Sequence, residues 1–123
     1  MILLDTHILL WALADDPRLT PGMRTLLEHA EVRFISAASI WEIEIKRAAG
    51  KLWIDGDILE SAGGAGYSPL AITWVHAAEA GRLPPHHADP FFRLLIAQAR
   101  VEGLPFLTAD RQFSSYDVKR ARQ

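Results

Sequence analysis

Four carboxylates stand where short apolar runs of this 123-residue chain give way to helical patterns. Asp5 closes "ILLD", Glu42 lies inside "AASIWEIEIKRAAG", Asp89 opens "DPFFRLLIAQARVEG" and Asp110 follows "PFLT". Carboxylates gathered at one rim repel one another unless a cation compensates them. A cluster of hard oxygen donors suits Mg2+ or Mn2+, which keep several waters and bind phosphate oxygens. Such a centre activates a water and stabilises the leaving group of a phosphodiester.

Each acid also has a plainer role. Asp5 can cap the helix that follows it, yet its place directly behind an apolar strand favours chemistry. Glu42 can pair with Lys46 at i,i+4. Ile40, Trp41, Ile43 and Ile45 surround it, however, and an acid buried there without a partner is costly. Glu44 reads as a solvated charge. Asp110 can simply start a turn. Asp89 before Pro90 is a near-ideal helix cap, the strongest of these plain readings. His86 and His87 are adjacent, so their side chains diverge; they make a poor chelating pair and read as loop. His7, His29 and His76 stand alone as packed or surface residues. Trp11, Trp41, Trp53 and Trp74 read as core rather than as platforms for stacking bases. No P-loop, GxGxxG after a strand, GxSxG or HExxH is present.

The elements that must position these acids alternate. "ILLD" (2–5) reads as a buried strand, and "THILLWALA" (6–14) as a helix capped by Asp5 or Thr6. "TPGMRTLLEHA" (20–30) is a helix with Thr20 as cap and Pro21 at its first position. "VRFIS" (32–36) is a strand, and 37–50 a helix ended by Gly50. A short helix over "DILESAG" precedes a strand over "PLAI" (69–72) and a helix over 73–83. The helix over 89–103 ends at Gly103 and leads to the strand "PFLT" (105–108). A helical turn over 109–116 and a tail, either a last strand or frayed, complete the chain. Short apolar strands alternating with helices predict an α/β fold whose parallel sheet is covered on both faces. Ligands of such folds bind beyond the carboxyl ends of the strands, where Asp5 and Asp110 fall.

The bulk numbers permit one domain, 1–123, with a real core. Half the residues are hydrophobic, 23% are charged and none is cysteine. That excludes disulfide and thiolate chemistry and suits the cytoplasm. The apolar start carries Asp5 and lacks a basic region, so it makes a poor signal peptide or membrane span. With a net charge of −2, any anionic partner must be met by a local patch. Lys46, Arg47, Arg93 and Arg111 are the candidates to contact phosphates; the alternative is that they are scattered solubilising charges.

"LLDTHILLWAL", "SAASIWEIEIKRAAGKL", "HHADPFFRLLIAQA" and "GLPFLTADRQFSSY" resemble the PIN-domain ribonucleases of VapC-type toxins from VapBC toxin–antitoxin systems. The similarity runs along nearly the whole chain, in order. It implies a PIN-like three-layer α/β/α fold with a central, mostly parallel sheet. It also implies a Mg2+- or Mn2+-dependent endoribonuclease, a homodimer, and inhibition by a small antitoxin seated in an apolar groove. Under the resemblance Asp5, Glu42 and Asp110 match the family's catalytic, metal-binding acids, and Asp89 remains a fourth candidate for both roles. Thr6 and Ser39 match small hydroxyl residues near the metal, and Arg93 the arginine of that neighbourhood. One position departs: the motif that usually reads Asp-Pro-Phe-Asp-Arg is "DPFFR" here, so Phe92 stands where the family's third acid stands. The expectation is a slow or silent nuclease, sharpened by Phe92→Asp.

Two other readings stay open. A catalytically weak or inactive PIN domain could serve as a binding and regulatory partner of its antitoxin, as Phe92 suggests. A flavodoxin-like or receiver-like module shares the alternation, but it calls for an acid pair after the first strand, and Asp5 stands alone there.

Overall fold

The computed structural model describes residues 1–122. Its strands are β1 (Ile2–Leu4), β2 (Arg33–Ser36), β3 (Ser68–Leu70) and β4 (Phe106–Leu107). Its helices are α1 (Thr6–Leu13), α2 (Pro21–His29), α3 (Ala37–Ala48), α4 (Ile58–Gly64), α5 (Trp74–Arg82) and α6 (Pro90–Glu102). The strands form one sheet in the order β3-β2-β1-β4, and every pairing is parallel. Because side chains alternate along a strand, the sheet feeds two cores. Leu3 and Phe106 join Phe92, Leu95 and Ile96 of α6 on one face. Ile2, Leu4 and Leu107 join Ile8 and Leu9 of α1, Leu27 of α2, Ile43 of α3 and Ile58 of α4 on the other. The result is the expected three-layer α/β/α arrangement.

Local chemistry places the helix ends. Asp5 caps α1 and Thr20 caps α2, with Pro21 directly after it. Thr73 and His76 form a reciprocal capping box on α5. Asp89 caps α6, and Gly103 ends it in the left-handed region at φ 66°, where only a residue without Cβ sits at ease.

Some expectations are corrected. β3 begins at Ser68 and ends at Leu70, so Ala71 and Ile72 lie beyond it. The turn after β4 is a 3-10 helix, Arg111–Ser115. Among the described residues the tail adds no strand, only an isolated bridge between Arg120 and Phe106. Three of the four tryptophans are not core: Trp41, Trp53 and Trp74 are 64%, 84% and 94% exposed, while Trp11 is half-buried and packs against the core as expected. The branched aliphatics and Phe106 already fill both faces of a four-stranded sheet, and Trp74 opens α5 while Trp53 sits in the loop before α4.

The strand order decides where a site can form. From β1 the chain moves to β2 and β3 on one side, while β4 returns on the other side of β1. The chain leaves β1 towards β2 and later enters β4 on the opposite side of β1, and folds with such a switch bind ligands in a crevice at the carboxyl ends of these strands. The Asp5 N–H donates across it to the Leu107 carbonyl at 2.9 Å.

Candidate functional site

Asp5 lies at the floor of this crevice, only 7% exposed. Its Oδ1 accepts the Thr6 N–H at 2.7 Å, and its Oδ2 accepts the Thr108 hydroxyl, also at 2.7 Å. Burial pushes the Asp5 carboxyl above its ordinary pKa. The Thr108 hydrogen bond, the nearby His7 and the Thr6 N–H oppose that rise, and the charge of Glu42 adds to it. Glu42 is itself 6% exposed, and its Oε2 stands 2.8 Å from Lys46 Nζ. Thr6 Oγ1 donates to Ser39 Oγ at 2.9 Å, which ties the start of α1 to the start of α3. Two buried acids thus lie close to each other, Asp5 held by the Thr108 hydroxyl and Glu42 by Lys46, with the Thr6–Ser39 hydroxyl pair joining the helices that carry them.

Asp89 and Asp110 occupy a different corner. Asp89 Oδ1 accepts the Phe91 N–H at 2.9 Å, the capping role its sequence context predicts. Asp110 Oδ1 caps the 3-10 helix through the Gln112 N–H at 2.8 Å, and its Oδ2 lies 2.9 Å from His87 Nε2. The Asp110 N–H donates to Thr108 Oγ1 at 3.0 Å, so Thr108 bridges the two corners. The expected convergence of four acids on one ion is therefore not formed: among the described residues no three acidic or imidazole groups gather closely enough to hold a metal. Asp5, Asp89 and Asp110 each commit an oxygen to the start of a different helix, which holds them apart. Asp5 and Glu42 still fit a hard divalent cation. Mg2+ commonly takes one or two carboxylates and keeps the rest of its shell as water, and the penalty on the buried Asp5 charge is what a cation would relieve.

The cations fall in several places. Lys46 meets Glu42, and Arg47 leans towards Glu44 at 3.7 Å. Arg111 is exposed at the start of the 3-10 helix. Arg93 corrects the expectation: its guanidinium donates to the carbonyls of Ala80, Leu83 and Pro84 at 2.9–3.0 Å, pinning the loop after α5 to α6. Phe92 is 4% exposed and belongs to the core. Beside Lys46 and His7 opens a cleft of about 660 Å³, lined also by Leu10, Trp11, Trp53 and Ile54.

A family profile described as the PIN domain matches residues 2–119. The chain belongs to the PIN domain family. Its fold is similar to that of a chain in the crystal structure of VapBC2 from Rickettsia felis bound to a promoter DNA fragment. There the TM-score is 0.68 at 15% identity, covering 98% of this chain and 96% of that one. A toxin–antitoxin complex from Klebsiella pneumoniae gives 0.67 at 17% identity, covering 93% and 91%. FitAcB from Neisseria gonorrhoeae gives 0.63 at 19% identity, covering 98% and 96%. No curated protein shows a significant sequence match.

Within this PIN domain, sequence reasoning overlooked two residues. Thr108 gives no signal by itself; it becomes visible only once β4 lies beside β1. His87 was weighed only as a partner for His86, whereas its partners are Asp110, Asp89 and Phe92.

Proposed function

We propose that this PIN-domain chain is a Mg2+- or Mn2+-dependent endoribonuclease, the toxin of a type II toxin–antitoxin pair. The observation that carries the reading is the buried Asp5–Glu42 pair, with Asp5 held by the Thr108 hydroxyl, at the crevice where such folds bind ligands. Asp5 and Glu42 would hold the cation. When bound, it supplies neutralising charge and a water of lowered pKa for attack on a phosphodiester. Thr108 fixes Asp5, and the Thr6–Ser39 pair joins the helices that carry the two acids. Lys46 compensates Glu42 and, with Arg47 and Arg111, offers charge for RNA phosphates. Structural neighbours described as toxin–antitoxin complexes support a small antitoxin as partner, with the cleft beside Lys46 as its seat. Exposed Trp41, Trp74 and Val75 support a homodimer. The absence of cysteine supports a cytoplasmic setting, and among the described residues no helix is long and apolar enough to cross a membrane.

One observation favours a second reading, a weak or inactive nuclease that serves as its antitoxin's binding partner. Phe92 brings a core side chain, and no oxygen, to the entrance of α6. The test is cleavage of labelled RNA across a Mn2+ titration, with Asp5→Asn and Glu42→Gln beside the parent. The nuclease reading expects slow, metal-dependent cleavage that falls about a hundredfold or more in both variants, the scale of losing one aligned stabilising group. Cleavage that survives both substitutions would refute it. No cleavage by the parent at saturating Mn2+, with tight antitoxin binding retained, would establish the second.

A further inference from the structure

His87 is held from four sides. Its backbone N–H donates to Tyr116 Oη at 2.9 Å. Its Nδ1 accepts the Asp89 N–H at 3.0 Å. Its Nε2 lies 2.9 Å from Asp110 Oδ2. Its ring stacks on Phe92, with centroids 4.4 Å apart and planes 24° from parallel. Phe92 in turn meets Phe106 of β4 edge-on at 5.9 Å, so the platform rests on the sheet. A ring nitrogen that accepts a backbone N–H carries no proton, so the neutral imidazole bears its proton on Nε2, aimed at Asp110. The same bond leaves no free lone pair on the ring, which removes His87 as a general base.

We propose that His87, seated on Phe92, is the positioning residue for Asp110. The donor at Nε2 and the Gln112 N–H together fix both carboxylate oxygens of Asp110. The Thr108 hydroxyl couples that arrangement to Asp5, since it accepts the Asp110 N–H and donates to Asp5 Oδ2. Phe92 is then the seat of an imidazole that orients an acid, and its lack of a carboxylate is part of how this corner is built. The geometry stands by itself; its consequence for metal affinity rests on the nuclease reading above.

Two substitutions separate positioning from packing. Glutamine at 87 reaches as far as Nε2 and keeps a donor for Asp110. Asparagine reaches as far as Nδ1 and keeps an acceptor for the Asp89 N–H. The first measurement is imidazole 15N–1H NMR on the whole, metal-free chain. A single Nε2–H form of His87 is expected, with its signal displaced in Asp110→Asn and in Phe92→Leu. An Nδ1–H form, or a signal indifferent to both substitutions, would overturn the proposal. The second is Mn2+ affinity by electron paramagnetic resonance, with melting curves of each variant. His87→Asn is expected to stay folded yet lose about tenfold or more in affinity, the usual scale for removing a group that orients a metal site. His87→Gln is expected to lose far less. The reverse order would show that His87 merely ties the loop to α6. Asp5→Asn serves as control: if it leaves Mn2+ affinity unchanged, the metal reading fails, while the NMR result still decides the role of His87.

Discussion

The two corners of the crevice hold carboxylates at different depths. Asp5 and Glu42 are buried, Asp5 is held by the Thr108 hydroxyl, and the charge of Glu42 adds to the cost of ionising Asp5. Asp89 and Asp110 are less buried and are engaged by backbone N–H groups and an imidazole on an aromatic seat. Asp5, like Asp89 and Asp110, commits an oxygen to a helix end, so burial rather than capping separates the two corners. Residues of one chemical type at one rim thus share the work of holding helix ends but differ in how much their charge costs.

The sharpest way to break that contrast is to move a charge from one corner into the other's packing. Phe92→Asp removes a core ring and buries a carboxylate beside Phe106. Losing the ring alone costs about 3–5 kcal/mol, and the buried charge adds to it. Chemical denaturation is expected to show at least that loss, with no gain in Mn2+ affinity. A stable variant that binds Mn2+ more tightly would restore the view of residue 92 as a vacant ligand position.

Asp5→Asn should act in the opposite sense. Burial holds the Asp5 carboxyl above its ordinary pKa in the folded chain, so ionisation is easier in the unfolded chain. Stability is then lost as the pH rises from the ordinary carboxylate range through that raised pKa. The asparagine variant is expected to be more stable than the parent at neutral pH, by less than Phe92→Asp loses. That advantage should disappear below the ordinary range. Thermal melts across a pH series check this, and a variant less stable at every pH would show that the Asp5 charge is already well compensated.

Asp89→Ala removes a cap and should cost about 1 kcal/mol by denaturation. It leaves the backbone N–H that fixes His87 in place, so the His87 NMR signal should persist. Lys46→Met strips the buried Glu42 of its partner. Lys46 is 38% exposed on the side chain but Glu42 only 7%, so the loss should exceed the ~0.5 kcal/mol of an exposed pair, and denaturation at low and high salt checks it.

Much of the fold was legible because its signals are local. Thr20, Thr73 and Asp89 sit directly before apolar periodic runs and cap the helices that follow, and Gly103 stops α6. Strand order is not local, and with it went Thr108, whose meaning depends on β4 lying beside β1. Arg93 and the three exposed tryptophans misled for a related reason. A sequence shows that an arginine lies near acids along the chain, but not that three carbonyls will surround it. It shows that a residue is apolar, but not that aliphatics have already filled the core. Phe92 was legible as a departure from the family motif, yet only packing shows what stands on it.

The hydrogen bond from Thr108 to Asp5 joins residues 103 positions apart. Contacts of that span form against a large loop-closure entropy and are slow to establish. β1 acquires its neighbour β4 from a segment synthesised long after it. A polypeptide still emerging from the ribosome, even with α1 to α5 complete, has no Thr108 to hold Asp5 and no Asp110 to link to it. The order of synthesis therefore withholds the finished crevice until β4 and the 3-10 helix after it have been made.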